Sequence, residues 1–352
     1  MNIEEAKAAI DKIIKKARVH LYKPIQVAEI LHRDRIEKDI DLSDLAAYRT
    51  PSRKWRDIIC LRFLGRTSTS SARYQDDVFN KNAIPPDALV ALGKENRKKN
   101  GIVEAYIYQR FLERFSQLSG ALDYSNIHDK STFQLSEFIN AFWNEAGLRR
   151  SIDKVYEIIV YALFSAIVES LDLTIKVSYN PAKSPILSEF QDFAEKVIQL
   201  DTETTSFETD AKIYRVGVTN AADRGLDMWA NFGLAIQIKH ISLNEKMASN
   251  IVGSVSADRI VIVCKTAEQK IILSLLNQIG WKSKIQAIIT EDDLITWYEK
   301  AMRGKFANEL GDKIIEIISS EIELEFPVTS GKDFEDFYEG RKYHKLKDKI
   351  WK

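Results

Sequence analysis

The sequence predicts an α/β fold preceded by a mainly α-helical region. Before residue 145, apolar residues recur at three- and four-residue spacing, as in Val103, Ile107 and Phe111, which is the periodicity of amphipathic helices. After residue 145, helical patterns alternate with short β-branched runs such as RIVIVCK and KIQAIIT. Strands of this kind, separated by helices, are typical of a parallel or mixed sheet covered on both faces. We therefore predict a mixed sheet flanked by helices.

The chain divides into three predicted regions. Residues 1–145 form a helical region, in which the periodicity predicts helices at 3–19, 24–37, 51–64, 103–118 and 132–146. Residues 146–305 begin with a long helix, RRSIDKVYEIIVYALFSAIVESL, and continue with the strand DLTIKVSYN, the helix LSEFQDFAEKVIQL and the strands AKIYRVGV, LDMWA and LAIQIKHI. Residues 306–352 form a C-terminal helix and a charged, aromatic tail.

Composition narrows the class of protein. The hydrophobic fraction of 45% and the charged fraction of 29% are those of an ordinary globular protein. The longest apolar run, IIVYALFSAIV, is shorter than the roughly 18 residues of a membrane span, and the charged N-terminus lacks the apolar segment of a secretory signal. The only two cysteines, Cys60 and Cys264, lie among apolar neighbours, which disfavours a disulfide framework. We expect a cytoplasmic protein without a membrane partner.

The segment LDMWANFGLAIQIKH, residues 226–240, predicts a tight β-hairpin that gathers polar side chains. A three-residue loop at 231–233, with glycine at the position that needs positive φ, puts Asp227 opposite Gln237. Because alternate residues of a strand share a face, Lys239 lies on the same side as Gln237. His240 points to the other, mostly apolar face and is expected to pack in the core.

This cluster has a chemical interpretation. A carboxylate beside a second oxygen ligand can hold Mg²⁺, which also binds phosphate oxygens. The ion lowers the pKa of a bound water and neutralises the charge that builds on a phosphodiester, and a nearby ammonium can orient the attacking water.

The arrangement GLD-x9-QIK resembles the signature of the PD-(D/E)xK nucleases. The order of elements over residues 150–265 is similar to the restriction-endonuclease-like core of that family, with one extra helix around 184–201. By resemblance, Asp227 is the metal carboxylate, Gln237 the second ligand position and Lys239 the catalytic lysine. Gln237 departs from the family pattern, in which most members carry an acid, so a further acid or a backbone carbonyl has to help hold the metal.

Glu157 is the candidate for that further catalytic and metal-binding acid, because members of the family often place a glutamate on the first core helix. The alternative interpretation is a solvated first-turn glutamate favoured by the helix dipole. Glu189 and Glu195, on the extra helix, are weaker substitutes. Asp223, in the run NAADRG, is expected to be a turn residue.

A basic segment in the N-terminal region predicts contact with nucleic acid. Between Arg49 and Arg73 the chain carries seven basic residues and one acid, although the whole chain has no net charge. Basic side chains suit phosphate contacts or pairing with guanine, and short hydroxyls suit the DNA backbone. A solvated surface loop is the alternative. The DNA-binding candidates are Arg53, Lys54, Arg56, Arg66, Ser70, Ser71 and Arg73.

The stretch TPSRKWRDIICLRFLGRTSTSSARYQDDVF, residues 50–79, resembles a block of type II restriction endonucleases of the HaeII type. That resemblance implies Mg²⁺-dependent cleavage of double-stranded DNA at a short GC-containing palindrome, by a homodimer whose two-fold axis matches the site. It also implies a cognate DNA methyltransferase in the same restriction-modification system. Two alternatives stay open: a structure-specific repair or junction nuclease of the same fold, and a non-catalytic DNA-binding protein.

Overall fold

The computed structural model describes residues 1–17, 20–67, 78–216, 226–268, 284–326 and 331–351. The chain divides into two compact units. Unit one includes Met1–Ile158 and Ile315–Lys352, and unit two includes Ile159–Val216 and Gly225–Ile314. The three regions expected from the sequence, with boundaries at 145 and 305, stay a prediction.

The fold is mixed α/β, as the sequence predicts. The helices are α1 (Ile3–Lys16), α2 (Tyr22–Ile36), α3 (Leu45–Arg49), α4 (Pro51–Leu64), α5 (Pro86–Lys98), α6 (Ile102–Ile127), α7 (Leu135–Asn144), α8 (Ile152–Ser170), α9 (Ser184–Glu189), α10 (Gln191–Phe193), α11 (Glu245–Ser254), α12 (Glu291–Arg303), α13 (Ala307–Glu325) and α14 (Gly331–Gly340). A π-helical turn, Ala194–Ile198, follows α10. The strands are β1 (Thr174–Ser178), β2 (Ser206–Asp210), β3 (Ile213–Arg215), β4 (Met228–Ala230), β5 (Leu234–Leu243), β6 (Arg259–Ala267) and β7 (Ile285–Ile289). Within these ranges, no helix is both long and apolar enough to span a membrane.

Local sequence signals begin and end several of these elements. The side chain of Asn2 accepts a hydrogen bond from the amide of Glu5 at 2.8 Å, and the Glu5 carboxylate accepts one from the amide of Asn2 at 3.1 Å. This reciprocal capping satisfies amide groups that the first turn of α1 leaves unpaired. Thr290 and Asp293 cap α12 in the same way. Helix α4 begins at Pro51, where the missing amide costs nothing.

The core of unit one joins the N-terminal helices to the C-terminal end of the chain. Phe63 of α4 contacts Phe334 and Phe337 of α14 with ring centroids 5.2 Å and 5.0 Å apart. Tyr108 of α6 contacts Phe337 at 5.0 Å, and all four rings are buried. Aromatic burial of this extent is a major source of packing energy. The aromatic residues of the predicted tail therefore belong to the same core as the N-terminal helices.

Unit two contains a five-stranded mixed sheet and a separate two-stranded sheet. The larger sheet has the order β3-β4-β5-β6-β7. The β3–β4 and β4–β5 pairs are antiparallel, whereas the β5–β6 and β6–β7 pairs are parallel. The smaller sheet pairs β1 with β2 antiparallel. The parallel strands are rich in isoleucine and valine and are largely buried, as is expected for a sheet with helices on both faces.

The two faces of β5 are covered by different helices of unit two. The odd-numbered residues of β5 form one face, and Ala235 of that face packs with Ile251 and Val252 of α11. On the other face, His240 lies 3.5 Å from the carboxylate of Glu291 at the start of α12. The helices therefore fix which side chains of β5 are reachable from solvent.

Candidate active site

The β4–β5 hairpin has the register that its turn sequence predicts. Met228 pairs with Ile236, and Ala230 pairs with Leu234 across the loop. Gly233 has a φ of +84°, a conformation that residues with a Cβ rarely adopt, and its amide donates to the carbonyl of Ala230 at 2.9 Å. Extending the register by one residue puts Asp227 opposite Gln237.

Asp227 is held by groups from β5. Its Oδ2 accepts a hydrogen bond from the side-chain amide of Gln237 and a second from the main-chain amide of Ile238 at 2.7 Å. The ammonium of Lys239 lies 3.8 Å from the same oxygen. The sequence therefore correctly identifies three side chains that the hairpin brings together.

Burial differs across the cluster in a way that suits a reaction site. Gln237 is 2% exposed, whereas the side chains of Asp227 and Lys239 are 15% and 40% exposed. The buried amide holds the carboxylate from one side, and the ammonium reaches solvent. Because charges interact more strongly away from bulk water, the carboxylate and ammonium form a polarised site that a solvent molecule can enter.

Neighbouring groups in the sheet are not suited to nucleophilic chemistry. Cys264 pairs with Lys239 in the parallel β5–β6 register, and burial raises the pKa of its thiol to about 11. That thiol is therefore protonated at neutral pH. His240 is 5% exposed on the opposite face, in the packing position that the sequence predicts.

Glu157 lies in unit one, on α8. It is 5% exposed, and Lys154 donates to both of its carboxylate oxygens at 2.8 Å and 2.6 Å. The solvated first-turn interpretation is therefore wrong, because the carboxylate is buried and ion-paired. Its place in the site stays a prediction. The substitutes Glu189 and Glu195 are both exposed, and Asp223 lies outside the described residues.

The oxygen donors of the hairpin suit a hard cation. In the described part of the chain, no three His, Cys, Asp or Glu side chains come together as a metal-binding group. Mg²⁺ commonly takes only one or two protein carboxylates and completes its coordination with water and substrate phosphate. A carboxylate and an amide side by side, with the amide nitrogen turned to Asp227, fit that requirement.

Part of the basic segment forms α4, and the basic side chains of that helix differ in their surroundings. Lys54 is exposed, and Arg53 is half-buried. Arg56 is 3% exposed, with its guanidinium donating to Asp57 at 2.9 Å and 2.7 Å and to Gln26 at 3.3 Å. In this conformation the charge of Arg56 is therefore paired with Asp57 inside unit one.

The remaining DNA-binding candidates lie at the end of α4 and beyond it. Arg66 donates to the main-chain carbonyl of Glu325 and contacts the ring of His20. Ser70, Ser71 and Arg73 lie outside the described residues. DNA contact by this segment stays a prediction.

Comparison with known proteins identifies the family. A model of the HaeII restriction endonuclease matches residues 6–343. The chain is 62% identical to the type II restriction enzyme HaeII of Haemophilus aegyptius, over 99% of each chain. It is 58% identical to the type II restriction enzyme NgoBI of Neisseria gonorrhoeae, over 97% of this chain and 98% of that enzyme. The chain belongs to the HaeII restriction endonuclease family. No solved structure matches it.

Membership of the HaeII restriction endonuclease family makes the chain a type II restriction enzyme, a site-specific deoxyribonuclease. Enzymes of this class act on double-stranded DNA and generally need a divalent metal ion. The membership decides against both alternatives left open by the sequence, the repair nuclease and the non-catalytic DNA-binding protein.

The structure adds an aromatic pair to the candidate site of this endonuclease. Tyr214 of β3 and Trp229 of β4 stack with ring centroids 4.5 Å apart and planes 20° apart, and they are 38% and 42% exposed. Trp229 pairs with Ala235 and therefore shares the face of Asp227 and Gln237. The alternation of Asp227 and Trp229 was visible in the sequence, but the pairing of β3 with β4 was not.

Proposed function

We propose that the β4–β5 hairpin is the phosphodiester-cleaving site of this restriction endonuclease and that it works as a PD-(D/E)xK nuclease. The single observation that carries the proposal is the convergence of Gln237, Ile238 and Lys239 on one carboxylate oxygen of Asp227. A carboxylate, an adjacent oxygen donor and an ammonium at the end of a buried hairpin are the groups that metal-assisted phosphodiester hydrolysis requires.

In this proposal Mg²⁺ is the cofactor, and Asp227 and Gln237 are the hairpin residues that would hold it. Glu157 stays the sequence-based candidate for a further acid. When bound, the ion would supply Lewis acidity and charge neutralisation at the phosphate. The hydrogen bonds from Gln237 and Ile238 fix the orientation of the Asp227 carboxylate before substrate binds. Preorganisation of this kind removes a reorganisation cost from the reaction.

Lys239 acts on the attacking water. Its ammonium lies 3.8 Å from Asp227, so the carboxylate limits the positions that the flexible side chain adopts. From there the ammonium can donate a hydrogen bond to water and stabilise negative charge on the phosphate as the water attacks. Lys239 is 40% exposed, which leaves its ammonium accessible to substrate.

DNA recognition is proposed to involve α4 and the face of the sheet beside the hairpin. Arg53 and Lys54 suit phosphate contacts, since both side chains reach solvent. Tyr214 and Trp229 offer apolar surface to sugar and base edges next to the cleavage site. The sequence-based candidates Arg66, Ser70, Ser71 and Arg73 complete the proposed DNA-binding set. The remaining candidate, Arg56, is buried and bonded to Asp57 and Gln26, so a contact with DNA would require it to leave these partners.

The substrate is proposed to be a short GC-containing palindrome in duplex DNA, cut by a homodimer, because a two-fold symmetric enzyme presents the same site to each strand of a symmetric sequence. A cognate methyltransferase would protect the same sequence in the host. These details rest on the resemblance to restriction endonucleases of the HaeII type.

An Asp227→Asn variant tests the proposed site. The substitution keeps the size of the side chain and removes the charge, so we expect cleavage of unmethylated duplex DNA to fall by about 10²-fold or more, while a gel shift still detects DNA binding. Asp258→Asn, at an exposed position of unit two, is the matched control and should cut normally. Undiminished cleavage by Asp227→Asn would refute the proposal.

A further inference from the structure

Among the described residues of unit two, a large uncovered apolar surface lies on the helical segment 184–198. This segment comprises α9, α10 and the π-helical turn, and we call it the arm. The amide of Phe190 donates to the carbonyl of Ile186 at 3.1 Å, and the amide of Ala194 donates to the carbonyl of Phe190 at 2.9 Å. These two bonds bridge the junctions between the pieces, although the backbone of Phe190 has non-helical angles (φ −109°, ψ 36°). The arm is therefore a segmented helical element.

The arm is apolar on two sides, and its own unit covers one of them. Leu187, Ala194 and Leu200 are buried against Val177 and Tyr179 of the small sheet and its end, and against Phe207. The other side carries Ile186, Phe190, Phe193 and Val197, which are 56%, 54%, 52% and 64% exposed. A surface helix ordinarily has one apolar side, which packs against the protein. A helix with two apolar sides is normally buried on both of them.

The spacing of the uncovered residues is that of a helix-packing stripe. The steps of four, three and four residues from Ile186 to Val197 follow the repeat by which two helices pack side by side. Half-exposed side chains of this size each offer on the order of 100 Å², and the stripe with Ile198 offers on the order of 500 Å². A specific interface buries about 800 Å² per partner, a little over half of it apolar. The stripe therefore suffices for the apolar part of one interface.

Charge on the arm identifies what covers it. The arm and the residue before it carry Lys183, Glu189, Asp192, Glu195 and Lys196, so acids outnumber bases and a polyanion such as DNA is disfavoured. When the stripe packs antiparallel against its own copy, Phe190 meets Phe193 and Ile186 meets Val197. The residues that flank this seam are then Glu189 of one copy and Lys196 of the other, twice by symmetry.

We propose that the arm is the homodimerisation surface of this endonuclease, covered by the arm of a second copy related by a two-fold axis. Within one copy, Lys196 contacts Asp192 at 3.7 Å, and both side chains are more than three-quarters exposed. An exposed pair of this kind holds the lysine weakly, so it exchanges readily for Glu189 of the other copy. The inference rests on the proposed function only in that a symmetric dimer suits a palindrome.

Sedimentation of the purified full chain, without DNA or metal, tests the proposal over a roughly hundredfold range of concentration around the micromolar values typical of small interfaces. We expect a dimer for the wild type and a monomer for Phe190→Asp. Ser188→Asp, which adds the same charge to the arm away from the stripe, should stay dimeric. A monomeric wild type at every concentration would overturn the proposal, as would a Phe190→Asp variant that dimerises as tightly as the wild type.

Charge exchange provides a second test that does not depend on apolar packing. Glu189→Lys sets like charges against each other at two symmetric positions, and we expect dimerisation to weaken on the order of tenfold or more. Adding Lys196→Glu should restore it, because the pairs form again with reversed sign. A double variant as weak as the single one would contradict the proposed antiparallel contact.

A monomeric wild type that cuts DNA would refute the arm interface alone, whereas normal cutting by Asp227→Asn would refute the hairpin site alone.

Discussion

In the proposed site, Gln237 stands at the position where most PD-(D/E)xK nucleases carry an acid, and its contacts suggest how an amide would serve there. Its nitrogen donates to Asp227, so the side chain holds the carboxylate in place without adding a second negative charge. At 2% exposure, a charged group in its position would lack solvent to stabilise it. In the proposed site, the amide therefore supplies one negative charge fewer to a metal ion, but it donates a hydrogen bond to Asp227 in the absence of metal.

A Gln237→Glu variant should separate these two effects. In EDTA we expect the free energy of unfolding to fall by about 1–3 kcal/mol, because a donor to Asp227 is lost and two carboxylates face each other. Mg²⁺ should restore more stability to the variant than to the wild type, because a cation relieves that repulsion. Thermal unfolding with and without Mg²⁺ measures both.

Gln286→Glu is the matched control for this substitution, since Gln286 occupies an exposed position of β7 in the same sheet. It should leave stability nearly unchanged under both conditions. An equal response of Gln237→Glu and Gln286→Glu to Mg²⁺ would argue that position 237 does not face a metal.

Trp229 should contribute to DNA affinity rather than to the chemical step. Replacing it by alanine removes a large, partly exposed ring beside the proposed cleavage site, and we expect duplex binding in EDTA to weaken on the order of tenfold. Trp143→Ala, which removes a ring that is 38% exposed in unit one, is the control. Fluorescence anisotropy with labelled duplex measures both, and unchanged affinity for Trp229→Ala would remove the aromatic pair from the DNA-binding surface.

At the scale of elements, the β4–β5 hairpin could be predicted and its neighbours could not. The turn NFG, with glycine where φ is positive, fixes the register over a few residues, so Asp227 and Gln237 could be paired from sequence. The pairing of β3 with β4, which brings Tyr214 to Trp229, joins strands separated by residues 216–227, and the sequence pattern did not predict their register. Local chemistry is readable in a sequence, whereas the packing of distant segments is decided by the whole fold.

Helix α4 shows a second limit of sequence interpretation. The sequence predicts that its basic residues form one solvent-facing cluster. In the structure, Arg56 is buried with Asp57 and Gln26, whereas Lys54 reaches solvent. Which side of a helix packs inward depends on its neighbours. The apolar positions Ile59 and Phe63 face the core. They lie three and seven residues after Arg56, which therefore shares the buried side of α4 with them.

Glu104 joins three elements of unit one through buried polar contacts. Its carboxylate accepts hydrogen bonds from Arg35 of α2 at 2.8 Å and 2.9 Å, contacts His32 Nδ1 at 2.9 Å and accepts another hydrogen bond from Tyr343 near the C-terminus. Burial opposes its ionisation, but the hydrogen bonds from Arg35 and His32 and the charge of Arg35 outweigh burial and lower its pKa to about 2. Removing one partner of a buried ion pair leaves the other without its counter-charge.

A Glu104→Gln variant should therefore lose about 3–5 kcal/mol of unfolding free energy at neutral pH. Because the folded pKa is depressed, the stabilisation by Glu104 is complete above its ordinary pKa of 4.5 and disappears as the pH falls towards about 2. The difference between wild type and variant in chemical denaturation should shrink across that window.

Glu113→Gln is the control for this pH dependence. Glu113 lies on the same helix and pairs with Arg110 at 2.6 Å, but its side chain is 42% exposed. A surface pair of this kind contributes about 0–1 kcal/mol. If the two variants were equally stable at neutral pH, the buried network would not hold the C-terminal end against α2 and α6.

At the scale of the whole molecule, the sequence predicts the general architecture. It does not predict that the C-terminal end of the chain packs against the N-terminal helices. The change from helical to alternating patterns near residue 145 predicts a helical region before an α/β region, and a mixed sheet of that type lies in unit two. The sequence predicts a charged, aromatic tail after a C-terminal helix but does not say where its aromatic residues pack; Phe334, Phe337 and Tyr343 lie in the core of unit one. Their partners are more than two hundred residues away in the chain, a separation that periodicity cannot bridge.

The hairpin that carries Asp227, Gln237 and Lys239 is proposed to cut DNA in this restriction endonuclease. The most direct measurement is to incubate unmethylated duplex DNA with the wild type, Lys239→Ala or Lys246→Ala, in Mg²⁺ or in EDTA, and to sequence the fragment ends. Lys246 is an exposed lysine of α11 and is the matched control.

We predict discrete fragments that share one short palindrome, produced in Mg²⁺ by the wild type and Lys246→Ala and absent in EDTA. Lys239→Ala should cut at least about 10²-fold more slowly while it still binds the duplex. Cutting by Lys239→Ala at the same sites and the same rate as the wild type would contradict the account, because it would place the reaction away from this hairpin.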